Sequence, residues 1–308
     1  MTTECVNEIT KIVMEFMDAT GISSDALPFD EDLAESISAV AIADGFEEEF
    51  VRHSKFNQYL RLGTLANAAY GHLKDRSTRQ WICLYTAFII YFDDILEKDA
   101  SLVQEFQQNF LAGKPQGNAF LDLYATFLRK AWLHFHPTCA NLIVTSMFDF
   151  LTGLLIDTQC SHMAVDSRAV NYPRWFRTVN GGSRAYAFFI FAREVPLDQY
   201  IQVVSDTHGI VDDINDILSF YKEELRGETT NQISQMAQLQ GKTKLEALRQ
   251  LSRESIERIR RSGDVLSPYP VAYDMYMNHW LPGYVRYYFT EKRYQLGDLK
   301  LDVPRSRL

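Results

Sequence analysis

The chain has 308 residues, 46% of them hydrophobic and 23% charged, a balance that excludes general disorder and a length that suits one large domain or two tightly fused halves. Its 31 basic and 40 acidic side chains leave a net charge of −9, which excludes a protein held to nucleic acid or to an anionic membrane by charge alone. Four cysteines without a CxxC pair argue against a disulfide framework or a zinc site. The acidic start MTTECVNEITK and an apolar run of only 81–92 predict a cytoplasmic chain with no stable membrane insertion. Aromatic residues, at 13%, exceed what a core of this size needs and predict an aromatic-rich interior or pocket.

Glycine (15) and proline (9) are scarce, and apolar residues recur at helical spacing from Val6, Ile9, Val13, Phe16 and Met17 onward, which predicts an all-α chain. Breakers at Pro28, 113–117, Pro137, Pro173, Gly181-Gly182, Pro196, Gly227, Gly241, 268–270 and Pro282-Gly283 divide it into roughly ten to twelve helices. None of these breaks is long enough to be a domain linker, so residues 1–308 are expected to form a single domain. The stretches 81–98, 138–160 and 198–224 are apolar around most of a helical circumference and are expected to be interior helices of a bundle.

In chain order, the first chemical constellation is YFDDILEKD (91–99). Asp93 and Glu97 stand four apart on one helix face with Asp94 beside them. They follow a buried run, so they fall at a helix C-terminus, where the macrodipole disfavours each negative charge by about 0.3–1 kcal/mol. A hard divalent cation such as magnesium relieves that cost; solvated carboxylates at the end of a core helix are the plain alternative. His134 and His136 are two apart and point to different sides of a helix, which speaks against a metal pair. YPRWFRTVNGG (172–182) sets Arg177 four residues before Gly181, and a glycine pair inside a helical pattern costs up to about 1 kcal/mol per residue. Either a purposeful break or close helix packing accounts for it.

In HGIVDDINDILSFYKEELRGE (208–228), Asn215, Ser219 and Glu223 recur every four residues and form one polar stripe with Lys222 and Asp212. Amide, hydroxyl and carboxylate oxygens suit magnesium, which keeps waters and takes substrate phosphates; a polar face turned to solvent is the alternative. Residues 244–261 alternate in charge and read as a solvated helix face. Finally, HWLPGYVRYYFTEKRYQL (279–296) combines Arg293 and Tyr294 with many aromatics, a set that could grip a phosphate or simply be a solvated terminal helix.

Together these segments resemble a known family. DDILE (93–97), followed 122 residues further on by NDILSFYKE (215–223), resembles the two metal-binding motifs of class I terpene cyclases. RTVNG resembles their diphosphate-sensor segment, and GYVRYYFTEKRYQL looks like the basic tail of the fungal trichodiene synthase group of sesquiterpene cyclases. The resemblance covers roughly residues 80–296 and implies a class I terpenoid synthase bundle with a central active-site cavity. It implies a lyase that ionises farnesyl diphosphate and cyclises the carbocation to a sesquiterpene hydrocarbon or alcohol. It also implies three Mg2+ ions bound with diphosphate, a small-molecule prenyl diphosphate as partner, and a possible homodimer.

Carried over residue by residue, the resemblance makes Asp93 and Glu97 direct magnesium ligands, with Asp94 of the same metal motif pairing with Arg293. Asn215, Ser219 and Glu223 hold a further magnesium. Arg177, Lys222, Arg293 and Tyr294 contact the diphosphate, with Gly181 as the backbone group at the sensor break. Tyr284 and Tyr287, one and two turns ahead of the basic tail, are candidates for the cavity wall. Glu97 stands where the family more often has aspartate, and Gln295 where its tail has arginine. An isoprenyl diphosphate synthase of the same fold is the rival reading, because DDIND (212–216) also has the form of that family's second aspartate-rich motif. A non-catalytic helical scaffold is a third, and it requires every polar stripe to face solvent.

Overall fold

The structure is a computed structural model that describes residues 1–97, 99–299 and 301; Lys98, Lys300 and the segment 302–308, the end of the expected domain, lie outside the described residues. Among the described residues every regular element is helical. Local chemistry sets many of the boundaries. Helix α1 (Thr3–Thr20) starts where the Thr2 side chain accepts from Cys5 N–H and ends at Gly21, whose φ of 68° is open to glycine at little cost. Next come α2 (Glu31–Ala43), α3 (Phe56–Leu65) and α4 (Arg76–Leu96). The carboxylate of Asp75 caps α4 by accepting from the backbone N–H groups of Ser77 and Thr78. Then follow α5 (Ala119–Arg129), α6 (Pro137–Gln159), α7 (Tyr172–Asn180), α8 (Ser183–Phe188), α9 (Val204–Arg226), α10 (Gln232–Gln240), α11 (Lys244–Leu266) and α12 (Leu281–Thr290).

The chain divides into two compact units, one of residues 28–163 with 179–194 and one of residues 1–27, 164–178 and 195–308. In the first unit, α3 lies directly on α4. A Cβ placed on Gly63 would come within 2.3 Å of the Cys83 carbonyl oxygen, so only glycine permits that approach. Every residue of α4 from Trp81 to Phe88 is buried, as the apolar run predicts. Much of the aromatic surplus is consumed here in ring-on-ring packing. Phe50 stacks on Phe56 at 4.6 Å, Phe88 lies 5.3 Å from Phe56 and 5.0 Å from Phe127, and Phe92 lies 4.8 Å from Tyr124. Each such pair adds about 0.5–1.5 kcal/mol beyond the area it buries. Helix α6, rather than 81–92, is the one helix among the described residues long and apolar enough to cross a membrane, and 61% of its apolar window is buried in the fold.

In the second unit, α9 packs on α1, α11 and the residues around the C-terminal tail. It begins at Val204; the expected start of that stretch is taken up by single 3-10 turns at Leu197–Gln199 and Ile201–Val203. Helix α11 opens with a reciprocal Thr243–Glu246 capping box. Its charged stretch is not wholly solvated, because Arg258 turns inward to an ion pair with the buried Asp213. The sequence break expected at Pro282 is absent. Residues Asp274–Trp280 instead form a π-helical stretch, in which Leu281 N–H donates to the Tyr276 carbonyl five residues back, and α12 continues from it. Pro282 has no N–H for the carbonyl four residues earlier and its ring crowds that carbonyl, so the helix widens rather than stops.

Candidate active site

The first acidic motif sits where the sequence put it, at the C-terminal end of α4. Asp93 and Asp94 lie in its last turn and Glu97 follows it, all three exposed. That turn contains no basic residue, so the carboxylates meet the negative end of the helix dipole. From α3, the Tyr59 hydroxyl donates to Asp94 Oδ2 at 2.6 Å, and the ammonium of Lys55, the residue just before α3, approaches the same oxygen at 3.2 Å. Burial, with the Asp94 carboxylate adding to it, pushes the Tyr59 phenol above its ordinary pKa. The expected partner of Asp94, Arg293, belongs to the other unit. Within its own unit Asp94 is held by Tyr59 and Lys55, neither of which the motif pattern pointed to.

The sensor segment breaks at its glycine pair. Helix α7 ends at Asn180, Gly181 is half-buried in the break, and Gly182, at φ 62°, precedes α8. Close packing also contributes, from a glycine that the sequence did not flag. A Cβ on Gly153 of α6 would stand 2.6 Å from Asn180 Cβ and 2.7 Å from its Cα. The Asn180 amide donates to Asp157 at 3.2 Å, and burial raises the pKa of that carboxyl.

In the second unit, α9 carries Asn215, Ser219 and Glu223 along one face. Ser219 Oγ donates to Glu223 Oε1 at 2.5 Å, and Asn231, the N-cap of α10, donates from Nδ2 to Glu223 Oε2 at 3.0 Å. Lys222 Nζ lies 3.9 Å from the same carboxylate. Burial dominates both partners, raising the Glu223 carboxyl and lowering the Lys222 ammonium. Arg177 reaches this helix from α7. Its Nη2 donates to Asn215 Oδ1 at 2.8 Å, its Nε to Asp216 at 3.1 Å, and its guanidinium lies 3.8 Å from Asp212. Burial opposes the charge on Arg177, yet Asp216 and Asp212 hold it protonated and above its ordinary pKa.

The basic tail packs on the same face. Lys222 and Arg293 both lie over the ring of the buried Tyr294, at 5.3 and 5.7 Å from its centroid, close enough for cation–π attraction. Tyr287 is buried 6.1 Å from that ring. Tyr284 stacks on Trp280, and its hydroxyl donates to the Val211 carbonyl at 3.0 Å. The residue that spacing alone left unmarked is Tyr288, one turn beyond Tyr284. Its hydroxyl accepts from Asn215 Nδ2 at 3.1 Å and lies 2.8 Å from the Tyr284 hydroxyl. The i, i+4 repeat of tyrosines was the available signal.

Three carboxylates of DDIND are engaged with arginines: Asp213 with Arg258 of α11, Asp216 and Asp212 with Arg177. The two histidines of HFH do separate work, His134 Nδ1 lying 3.2 Å from Thr78 Oγ1 and His136 capping α6. Among the described residues no three His, Cys, Asp or Glu side chains converge as a ready-made metal centre. The oxygen set on α9 is instead one amide, one hydroxyl and one carboxylate.

Comparison with known proteins supplies the family. The trichodiene synthase family matches residues 68–303. This chain belongs to the trichodiene synthase family. An alpha-cuprenene synthase of Coprinopsis cinerea is 29% identical to this family member over 95% of its chain and 90% of the relative's length. A monoterpene synthase of Postia placenta is 30% identical over 94% and 86%. Among solved structures, the linalool/nerolidol synthase of Streptomyces clavuligerus resembles it with a TM-score of 0.61 at 18% identity, covering 87% of this chain and 96% of that one. The fold is that of the class I terpenoid synthases, and this trichodiene synthase family member is a terpene synthase.

Proposed function

We propose that this enzyme is a magnesium-dependent sesquiterpene cyclase that ionises farnesyl diphosphate, cyclises the resulting carbocation to a hydrocarbon or alcohol and releases diphosphate. The carrying observation is the oxygen set of Asn215, Ser219 and Glu223 on one face of α9 with three cationic side chains, Arg177, Lys222 and Arg293, on or beside it. The donor chemistry fits magnesium. All three donors are hard oxygens, and they recur every four residues along one face of α9, the donor type that a magnesium ion takes. In the same reading Asp93, Asp94 and Glu97 serve as the second acidic set, at a helix C-terminus whose dipole favours a cation.

Bound magnesium would neutralise the developing charge on the diphosphate leaving group. The chain's own residues do the rest. In this reading Arg177, Lys222 and Arg293 grip phosphate oxygens, and Tyr294, whose phenol burial holds above its ordinary pKa, stays a neutral hydrogen-bond donor. Buried aromatic faces such as Tyr287 keep water out and attract cationic character by up to about 2 kcal/mol per desolvated ring. The linalool/nerolidol synthase has also been solved with 2-fluorogeranyl diphosphate, which supports a prenyl diphosphate as the substrate class.

Chain elongation is the less supported reading, because Asp213 and Asp216 are committed to arginines rather than offered to metal. The deciding experiment supplies farnesyl or geranyl diphosphate, with and without isopentenyl diphosphate and magnesium, and analyses products by gas chromatography–mass spectrometry. A magnesium-dependent hydrocarbon or alcohol from farnesyl diphosphate is expected. A longer prenyl diphosphate, or equal turnover in a chelator, would overturn the proposal.

A further inference from the structure

An amide offers a cation only one of its two polar atoms, so a metal-binding asparagine needs something to fix which way it faces. We propose that Tyr288 is a positioning residue that sets the orientation of Asn215; this rests on the reading of Asn215 as a magnesium ligand. Arg177 has donors only, so the Asn215 atom 2.8 Å from its Nη2 is the oxygen. Nδ2 then faces the other way and donates to the Tyr288 hydroxyl at 3.1 Å. That hydroxyl lies 2.8 Å from the Tyr284 hydroxyl, which donates to the Val211 carbonyl at 3.0 Å.

Both ends of this run are fixed in type, since an amide N–H only donates and a carbonyl oxygen only accepts. Every proton between them is thereby directed, from Asn215 to Tyr288, from Tyr288 to Tyr284, and from Tyr284 to Val211. A Tyr288 hydroxyl whose proton is spent on Tyr284 has only lone pairs to show Asn215. Turning the amide over would oppose two acceptors at Tyr288 and two donors at Arg177, so it is penalised on both sides. The Tyr288 hydroxyl cannot swing aside. Its ring is buried and packs 4.6 Å from Tyr294, 5.2 Å from Tyr287 and 5.4 Å from Tyr284. Because Val211 and Asn215 are one turn apart on α9, two tyrosines one turn apart on α12 match them in register.

The test uses Tyr288→Phe, which removes the hydroxyl and keeps the ring. Magnesium binding in the presence of inorganic diphosphate is measured by titration calorimetry on the wild type, Tyr288→Phe, Tyr284→Phe, Asn215→Asp and the double variant Asn215→Asp/Tyr288→Phe, with thermal midpoints recorded for each. Tyr288→Phe is expected to bind metal on the order of tenfold more weakly, the usual consequence of losing an outer-shell partner. Tyr284→Phe is expected to lose less, since Tyr288 can still accept from Asn215. A carboxylate at 215 has two equivalent oxygens and no face to fix, so in that background Tyr288→Phe should no longer weaken binding. A merely structural role for Tyr288 would weaken both backgrounds alike. Unchanged metal affinity in Tyr288→Phe, or an equal loss in the Asn215→Asp background, overturns the inference alone. Failure of the wild type to bind magnesium with diphosphate overturns the metal reading and this inference with it.

Discussion

Replacing Gly153 by alanine sets two effects of opposite sign against each other. Inside a helix, glycine to alanine is worth about 1 kcal/mol in favour of the folded state, because the backbone has less freedom to lose. At Gly153 the new Cβ would stand 2.6 Å from Asn180 Cβ, 2.7 Å from its Cα and 3.1 Å from its backbone nitrogen. Carbon atoms in contact rest about 3.5–4.0 Å apart, so a gap of roughly 1 Å must open. The opposing atoms are backbone or the first side-chain carbon, so no change of rotamer relieves the contact. Overpacking of this kind costs about 1–3 kcal/mol, and straining the Asn180–Asp157 hydrogen bond adds about 1 kcal/mol. The steric cost wins, and Gly153→Ala is expected to be less stable by about 1–3 kcal/mol in urea denaturation followed by circular dichroism. Asn180 also ends the helix that carries Arg177, and under the proposed function, in which Arg177 grips the diphosphate, misplacing that group by about 1 Å can lower turnover by up to about 100-fold. An alanine variant as stable as the parent, or more stable by the propensity term alone, would refute the close approach.

Asp75 caps α4 with its carboxyl pKa pulled from 3.8 to about 2, chiefly by Thr78 and against some desolvation. A lowered acid pKa contributes stability above the unfolded value that is lost as pH falls through the folded one. For this exposed group the contribution is about 1 kcal/mol after solvent screening. Asp75→Ala should therefore cost about 1 kcal/mol at neutral pH, whereas Asp75→Asn should keep most of the cap and flatten the stability slope between about pH 4 and 2, as read by denaturation across that range. Asp93→Asn and Asn215→Ala should each suppress product formation strongly while circular dichroism and thermal midpoint stay near wild type; collapse of the fold in either would contradict a catalytic role. Asp213→Asn should lower stability by about 1–3 kcal/mol by taking the buried carboxylate from Arg258, which keeps Glu254 at 3.6 Å, while leaving the magnesium concentration for half-maximal turnover unchanged. A shifted magnesium requirement there would revive the chain-elongation reading.

The patterns that depend on one element were legible in the sequence. The apolar run from Trp81 fixed a buried helix and hence placed Asp93 at its C-terminus, and the four-residue recurrence of Asn215, Ser219 and Glu223 put three oxygens on one face. What escaped were partners supplied by other elements. Nothing near Asp94 in sequence announces Tyr59 and Lys55, 35 and 39 residues away. Nothing in DDIND says that Arg258, 45 residues on, will claim its second aspartate. The aromatic surplus was visible, but composition cannot tell a packed core from a cavity wall, and around Phe88 much of it is core. Pro282 was read as a stop because proline usually is one; a widened turn offered the chain a way to tolerate it.

That widened turn also governs angular phase. Each residue advances a helix by about 100°, so one residue gained or lost across 274–280 would rotate everything after it by that amount. Tyr284 and Tyr288 would then sweep away from Val211 and Asn215 with no change in their own sequence. The pairing of α12 with α9 is thus counted from the start of the π-helical stretch, and length variation there is as consequential as replacing the tyrosines themselves.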